Sequence, residues 1–106
     1  MGFDYEKIIE SLKKSTNIMN IEGRAQTIKI LEYLKECPFV DIIAEYMGCS
    51  THYIYRKLKY HLDDQYYIDL LDDLVERRRI FRGDMIKEYI EKLENIDENN
   101  DNIESE

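Results

Sequence analysis

A chain of 106 residues is long enough for one small domain with a modest core. One proline, four glycines and 36% charged residues favour an all-α protein over a sheet protein. No run approaches the roughly 20 apolar residues of a membrane helix, and the N-terminus lacks the pattern of a secretory signal, so we expect a cytoplasmic protein without membrane contact. Its two cysteines, Cys37 and Cys49, are then expected to remain reduced thiols.

The helical spacing of apolar residues predicts six helices. The first extends over about 4–14 and the second over about 22–36, where Pro38 ends it. The third and fourth lie within 40–62. A fifth helix, over about 65–79, is expected to face inwards with Ile68, Leu71, Leu74 and Val75.

The C-terminal part is predicted to be helical and then disordered. A sixth helix is expected over about 84–96, with Asp84 as its N-cap and an apolar face of Ile86, Tyr89, Ile90 and Leu93. This face either joins the core or forms the seam of a homodimer. Residues 97–106 contain one apolar side chain and are expected to be disordered. The chain thus divides into an N-terminal helical addition (1–21), a three-helix core (22–62), C-terminal helices (63–96) and an acidic tail (97–106).

The stretch 40–62 has the pattern of a helix-turn-helix. An apolar stripe leads to Gly48, which stands where the chain must turn sharply and where a residue free to adopt positive φ is favoured. Ser50 is the expected N-cap of the second helix of the pair. From Ser50 to His61 there are three cations and no acid.

The formal net charge of −8 at first opposes nucleic acid as a partner. Residues 84–106, however, carry nine acids and two lysines, a net charge of −7, which leaves the other 83 residues near −1. In that larger part the cations concentrate in the second helix of the pair and in an arginine cluster, Arg77, Arg78, Arg79 and Arg82. The excess acid therefore belongs to the C-terminal part, and double-stranded DNA becomes the first partner to consider.

The segment from Thr27 to Leu62, which begins TIKILEYL, resembles the helix-turn-helix region of the stage III sporulation protein D family, small transcriptional regulators of spore-forming bacteria. Downstream, the motif RRIFRGD is similar to the arginine and glycine cluster that precedes the basic C-terminal segment of that family. The chain departs from the family pattern in an N-terminal addition of about 26 residues, in a shorter linking helix and in an acidic segment after Gly83.

The resemblance implies that the second helix enters the major groove and that the C-terminal region makes further DNA contacts. Carried over by position, the residues that face bases or phosphates are Ser50, Thr51, His52, Tyr55 and Arg56. Lys57 and Lys59 would contact phosphates, with support from Arg77, Arg78, Arg79 and Arg82. Arginines 77–79 have a second explanation, as the solvated end of the fifth helix, where the helix dipole favours cations.

No enzyme, cofactor or metal site is expected. The thiols and imidazoles lack the paired spacing of zinc ligands, and the glycines are isolated. The favoured hypothesis is a sequence-specific DNA-binding regulator of transcription. The alternative is a protein-binding helix-turn-helix module of a mobile element, whose acidic C-terminal part occupies a basic surface of its partner.

Overall fold

A computed structural model of the chain describes residues 3–14, 21–79 and 85–104, the side chains of 21, 22 and 100–104 excepted. Within these ranges the protein is all-α, and its helices are α1 (Tyr5–Lys14), α2 (Ile21–Glu36), α3 (Val40–Met47), α4 (Thr51–His61), α5 (Asp64–Arg77) and α6 (Met85–Glu104). The all-α prediction is confirmed. Asp84, the predicted cap of α6, lies outside the described residues.

The central element of the core is α2, which packs against α1, α3, α4 and α6. Its buried face consists of Ile30, Leu31, Tyr33 and Leu34, none of which is more than marginally exposed. Pro38 follows α2, and the extended backbone at Phe39 then leads into α3. Because a single helix contacts four others, the position of the α3–α4 pair depends on α2.

The prediction of which side of α5 faces the core is wrong for Ile68 and Val75. Leu70 and Leu74 are fully buried, whereas Ile68 and Val75 are 51% and 54% exposed. Apolar residues cover more than half of the circumference of α5, so the helical period alone allows two inner faces. In the structure Leu70 and Leu74 take the inner side, and Asp73 accepts hydrogen bonds from the backbone N–H of Phe3 and the hydroxyl of Tyr5.

The expectation of disorder from Asp97 onwards is also wrong for residues 97–104, because α6 continues to Glu104. Asp97 is held in place by the Tyr33 hydroxyl, which donates to it at 2.5 Å, and by the Tyr46 hydroxyl, at 2.6 Å. Lys29 adds an ion pair at 3.6 Å. These three partners, from α2 and α3, fix the carboxylate on the helix where composition predicts a free tail.

The apolar face of α6 is largely used inside the chain. Tyr89 and Leu93 are buried in the core, and the Tyr89 ring lies edge to face against Phe39 with 5.6 Å between ring centroids. Ile90 is half-buried and Ile86 is 41% exposed. Of the two interpretations of this face, core packing therefore holds for Tyr89 and Leu93, which have no surface left to offer a second copy.

Candidate nucleic-acid interface

The turn between α3 and α4 has the geometry predicted from the sequence. Gly48 adopts a left-handed conformation, with φ 78° and ψ 33°, and its N–H donates to the carbonyl of Ala44 at 2.9 Å. The N–H of Cys49 donates to the same carbonyl at 2.9 Å. Ser50 then caps α4, since its Oγ accepts from the N–H of Tyr53 at 3.0 Å. A left-handed glycine and, two residues later, an N-cap fix the angle between the two helices.

One side of α4 is apolar and fully buried. Ile54 and Leu58 have no exposed surface, and Leu62 follows them on the same side. The opposite side carries His52, Arg56 and Lys59, at a spacing of four and then three residues, and all three are exposed. Tyr60 is exposed beside them, four residues after Arg56. Its place on this face is an addition to the predicted site, and the same helical spacing could have identified it.

The other predicted residues of α4 lie around this exposed face rather than on it. Thr51 is exposed at the first turn, and Tyr55 is half-buried on the flank. The Ser50 hydroxyl is occupied as the helix cap. Lys57 lies on the far flank, where its Nζ is 5.6 Å from the centroid of the Tyr53 ring. The structure thus brings His52, Arg56 and Lys59 together and separates Lys57 from them.

A buried polar contact, absent from the sequence-based predictions, fixes the C-terminal end of α4 on α2. The Thr27 Oγ1 lies 2.8 Å from the Nδ1 of His61 and donates to the carbonyl of Gly23 at 3.1 Å. The His61 Nδ1–H can then donate to Thr27, which leaves Nε2 as a buried nitrogen without a hydrogen-bond partner in the described part of the chain. Gly23 leaves room for this ring, because a Cβ there would lie 3.3 Å from the His61 Cε1. His61 is therefore a packing residue.

Two members of the arginine cluster, Arg77 and Arg78, are engaged within the chain. Arg77 donates to the hydroxyl of Tyr5 at 2.7 Å and to the carbonyl of Lys35 at 3.0 Å, and it pairs with Asp73 at 3.3 Å. Burial, together with the hydrogen bond to Asp73, raises the pKa of Tyr5 well above its usual value. Arg77 thereby joins α5 to α1 and to the last turn of α2.

The neighbouring arginines differ in what they can offer to DNA. Arg78 is half-buried and its Nε donates to the carbonyl of Leu74 at 3.1 Å. Arg77 and Arg78 are therefore both half-buried and bound within the chain at the end of α5. Arg79 is highly exposed and makes only a 3.6 Å surface pair with Glu76 among the contacts described, and Arg82 lies outside the described residues.

The carboxylate of Asp97 lies beside α3 and is held there by two hydrogen bonds and an ion pair. Burial would raise the pKa of Asp97, but the hydrogen bonds from Tyr33 and Tyr46 and the charge of Lys29 outweigh it and hold this pKa below its usual value. Tyr33 has the complementary shift, because burial and the hydrogen bond to Asp97 raise its pKa strongly. Asp97 is thus a structural anion that ties α6 to α2 and α3.

Comparisons with protein-family models, with curated proteins and with solved structures found no match to this chain. None of the helices in the described ranges is long and apolar enough to cross a membrane.

The two cysteines are not joined in a disulfide in the structure: Cys37 lies in the core and Cys49 is half-buried at the turn. Burial raises the pKa of the Cys49 thiol. The candidate site consequently rests on the geometry and charge of α3, α4 and the turn between them.

Proposed function

We propose that this protein is a sequence-specific DNA-binding regulator that inserts α4 into the major groove. The observation that carries the proposal is the exposed face of His52, Arg56 and Lys59, on a helix that has no acidic residue from Ser50 to His61. Arginine can bind guanine edges with two hydrogen bonds, and a lysine one turn away suits a phosphate. Thr51, at the first turn, is placed for a phosphate or base contact.

The packing of α4 supports this role because it makes the helix a rigid element. Ile54 and Leu58 anchor its inner side, Ser50 caps its start and the contact between Thr27 and His61 holds its end. A side chain on such a helix keeps a fixed position relative to the scaffold, and fixed positions are what reading base edges requires.

The test is binding to a pool of duplex DNA fragments at two salt concentrations, followed by sequencing of the bound fragments. We expect a consensus sequence, and an affinity that falls steeply with salt because phosphate contacts release counterions. Arg56→Ala is expected to cost about 1–3 kcal/mol and to relax the consensus at one base pair. Lys59→Ala is expected to weaken binding to all sequences alike.

The matched control is Lys7→Ala, which removes one positive charge from an exposed position on α1 beside Asp4 and away from α4. It changes the net charge as much as Arg56→Ala does, so an equal loss of affinity would show that only overall charge matters. That result, or an affinity indifferent to salt, would contradict the proposal.

A second candidate function has its own observation in α6. Glu91, Glu94 and Glu98 are exposed on this helix, and Asp97 fixes the helix against α2 and α3. A rigid row of carboxylates can occupy a basic surface of a partner protein, as in a module that mimics nucleic acid. Replacement of the three glutamates by glutamine would abolish such binding, whereas the first proposal predicts unchanged or tighter DNA binding. Truncation of α6 is unsuitable, since Tyr89 and Leu93 belong to the core.

We also propose that the chain is a divergent member of the stage III sporulation protein D family. The resemblance over Thr27 to Leu62 supports it, and the α3–α4 pair falls within that segment. The RIFRGD motif lies mostly outside the described residues, and Arg77 and Arg78 are engaged within the chain. If the second DNA contact of the family persists here, Arg79→Ala should weaken DNA binding, and an unchanged affinity would leave α4 as the sole contact.

A further inference from the structure

The outer face of α5 carries an apolar stripe that the core does not use. Ile68 and Val75, seven residues apart, are each about half exposed, and Leu71 lies between them with part of its surface exposed. Scattered apolar side chains on a surface are ordinary, but three in one row along a helix form a continuous strip. This is the row that the sequence predicted to face inwards, and its exposure calls for an explanation.

Charges extend the same row at both ends with opposite sign. Asp64 lies four residues before Ile68, and Arg79 lies four residues after Val75. Both are exposed. The distance from Asp64 to Arg79 corresponds to about 22 Å of helix at 1.5 Å per residue. Along one side of α5 and the turn that ends it, the row therefore consists of an acidic residue, then the apolar stripe, then a basic residue.

This pattern is complementary to itself when reversed. The midpoint between Asp64 and Arg79 falls between Leu71 and Asp72, and so does the midpoint between Ile68 and Val75. A second copy in antiparallel orientation would therefore place its Val75 against Ile68 and its Arg79 against Asp64, and the reverse pairs would form by symmetry. A parallel arrangement would put like charges opposite each other.

We propose that α5 pairs with α5 of a second copy about a two-fold axis near Leu71, and that this protein self-associates through that face. A surface used by both copies is what a two-fold dimer requires. The present partner of Arg79 is Glu76, in a surface pair at 3.6 Å with both side chains 72% exposed, and such pairs are exchanged at little cost.

The size of the apolar stripe on α5 sets the expected strength of the dimer. Three side chains on one helix of 14 residues bury far less than the roughly 800 Å² per partner of a standard interface, so the dimer is a weak one. Asp72 lies beside the axis, and its repulsion from its symmetry mate weakens the pair further. Two copies held on one DNA molecule would gain effective concentration and associate more strongly.

Sedimentation equilibrium of the full chain without DNA tests the proposal, over a range up to about 0.5 mM, where even weak dimers populate. We expect a concentration-dependent dimer for the natural sequence. Ile68→Gln should weaken dimerisation about tenfold or more, because it removes apolar surface from the centre of the pair without touching the core. Ile86→Gln is the matched control, since Ile86 is also a partly exposed isoleucine but lies on α6, and it should have no effect.

The antiparallel orientation of the two α5 helices is tested by exchanging the charges at Asp64 and Arg79. Asp64→Lys and Arg79→Glu should each weaken the dimer about fivefold, because each places two like-charged pairs across the interface. The double variant should recover the original constant, while circular dichroism confirms that each variant remains helical. The proposal would be overturned by a chain that stays monomeric throughout. It would also be overturned if Ile86→Gln weakened dimerisation as much as Ile68→Gln does, or if the double charge variant dimerised as weakly as the single variants. Because DNA is absent, the outcome is independent of the proposed DNA binding.

Discussion

Replacing Asp97 by alanine removes the acceptor shared by two tyrosine hydroxyls, and we expect a large loss of stability for a residue on a helix of mostly exposed acids. Tyr33 is almost fully buried and donates to Asp97 at 2.5 Å, and Tyr46 is half-buried and donates at 2.6 Å. The variant leaves both hydroxyls without this carboxylate. A hydrogen bond to a charged group contributes about 1.5–3 kcal/mol, and a buried donor left unpaired costs about 1–3 kcal/mol.

The expected loss is about 3 kcal/mol, with most of it from Tyr33 because that side chain is the more deeply buried of the two donors. For a domain of this size, a loss of that order lowers Tm by roughly 12–20 °C. The ion pair with Lys29 adds little, since the Lys29 side chain is 42% exposed. The matched control is Glu98→Ala, which removes the neighbouring exposed carboxylate and should change stability by less than about 0.5 kcal/mol.

Urea denaturation followed by circular dichroism measures these losses, and a double-mutant cycle with Tyr33→Phe measures the coupling, expected at about 1 kcal/mol or more. The hydrogen bonds hold the pKa of Asp97 below that of an aspartate in the unfolded chain. Its stabilisation is therefore complete above about pH 4–5 and is lost as the pH falls through the folded-state pKa. The reasoning would be refuted if Asp97→Ala lost no more stability than Glu98→Ala, or if its loss were additive with that of Tyr33→Phe. A stability difference between Asp97→Ala and the natural sequence that grows in acid would also refute it.

Three further predictions concern the turn, the end of α4 and the buried tyrosines. Gly48→Ala should lower the free energy of unfolding by about 1–2 kcal/mol. Backbone strain is the whole cause, since φ is 78° and no atom lies within 4 Å of the added Cβ. A change below about 0.3 kcal/mol in urea denaturation would contradict this. Thr27→Val should cost about 1 kcal/mol in the same assay, because the Nδ1 of His61 loses the Thr27 hydroxyl and keeps only the Lys57 carbonyl at 3.2 Å, whereas Thr27→Ser should cost less because it keeps the hydroxyl. In a spectrophotometric pH titration, the raised pKa values should keep Tyr5 and Tyr33 protonated until alkaline unfolding. Ionisation of all nine tyrosines in the folded protein would refute the assigned hydrogen bonds.

The features that the sequence predicted correctly depend on neighbours along the chain. Gly48 and Ser50 act within one turn of their own positions, and Pro38 restricts the residue directly before it. The exposed face of His52, Arg56 and Lys59 follows from helical spacing once Ile54 and Leu58 are placed inside. Periodicity and capping suffice here because the hydrogen bonds that form the turn and the cap join residues at most five positions apart.

The features that it missed depend on partners far away in the chain. Asp73 meets Tyr5 across 68 positions, and Asp97 meets Tyr33 across 64. Arg77 was a candidate for DNA contact or for the end of the fifth helix, and its contacts with Tyr5 and the carbonyl of Lys35 were not foreseen. A single sequence offers both apolar faces of α5 as equals and does not show which tyrosine meets which carboxylate. Long-range polar contacts of this kind are set by the fold as a whole.

The two outer polar contacts also have a consequence for the order in which the chain folds. Tyr5 and Asp73 are 68 positions apart and Tyr33 and Asp97 are 64 apart, whereas Thr27 and His61 are separated by 34. Since closing a longer loop costs more entropy before any contact repays it, we expect α2, α3 and α4 to assemble before α6 docks onto them. From the same order reversed we expect α6 to detach from its anchor while the α3–α4 pair stays formed, so that the segment with most of the negative charge would be the first to open.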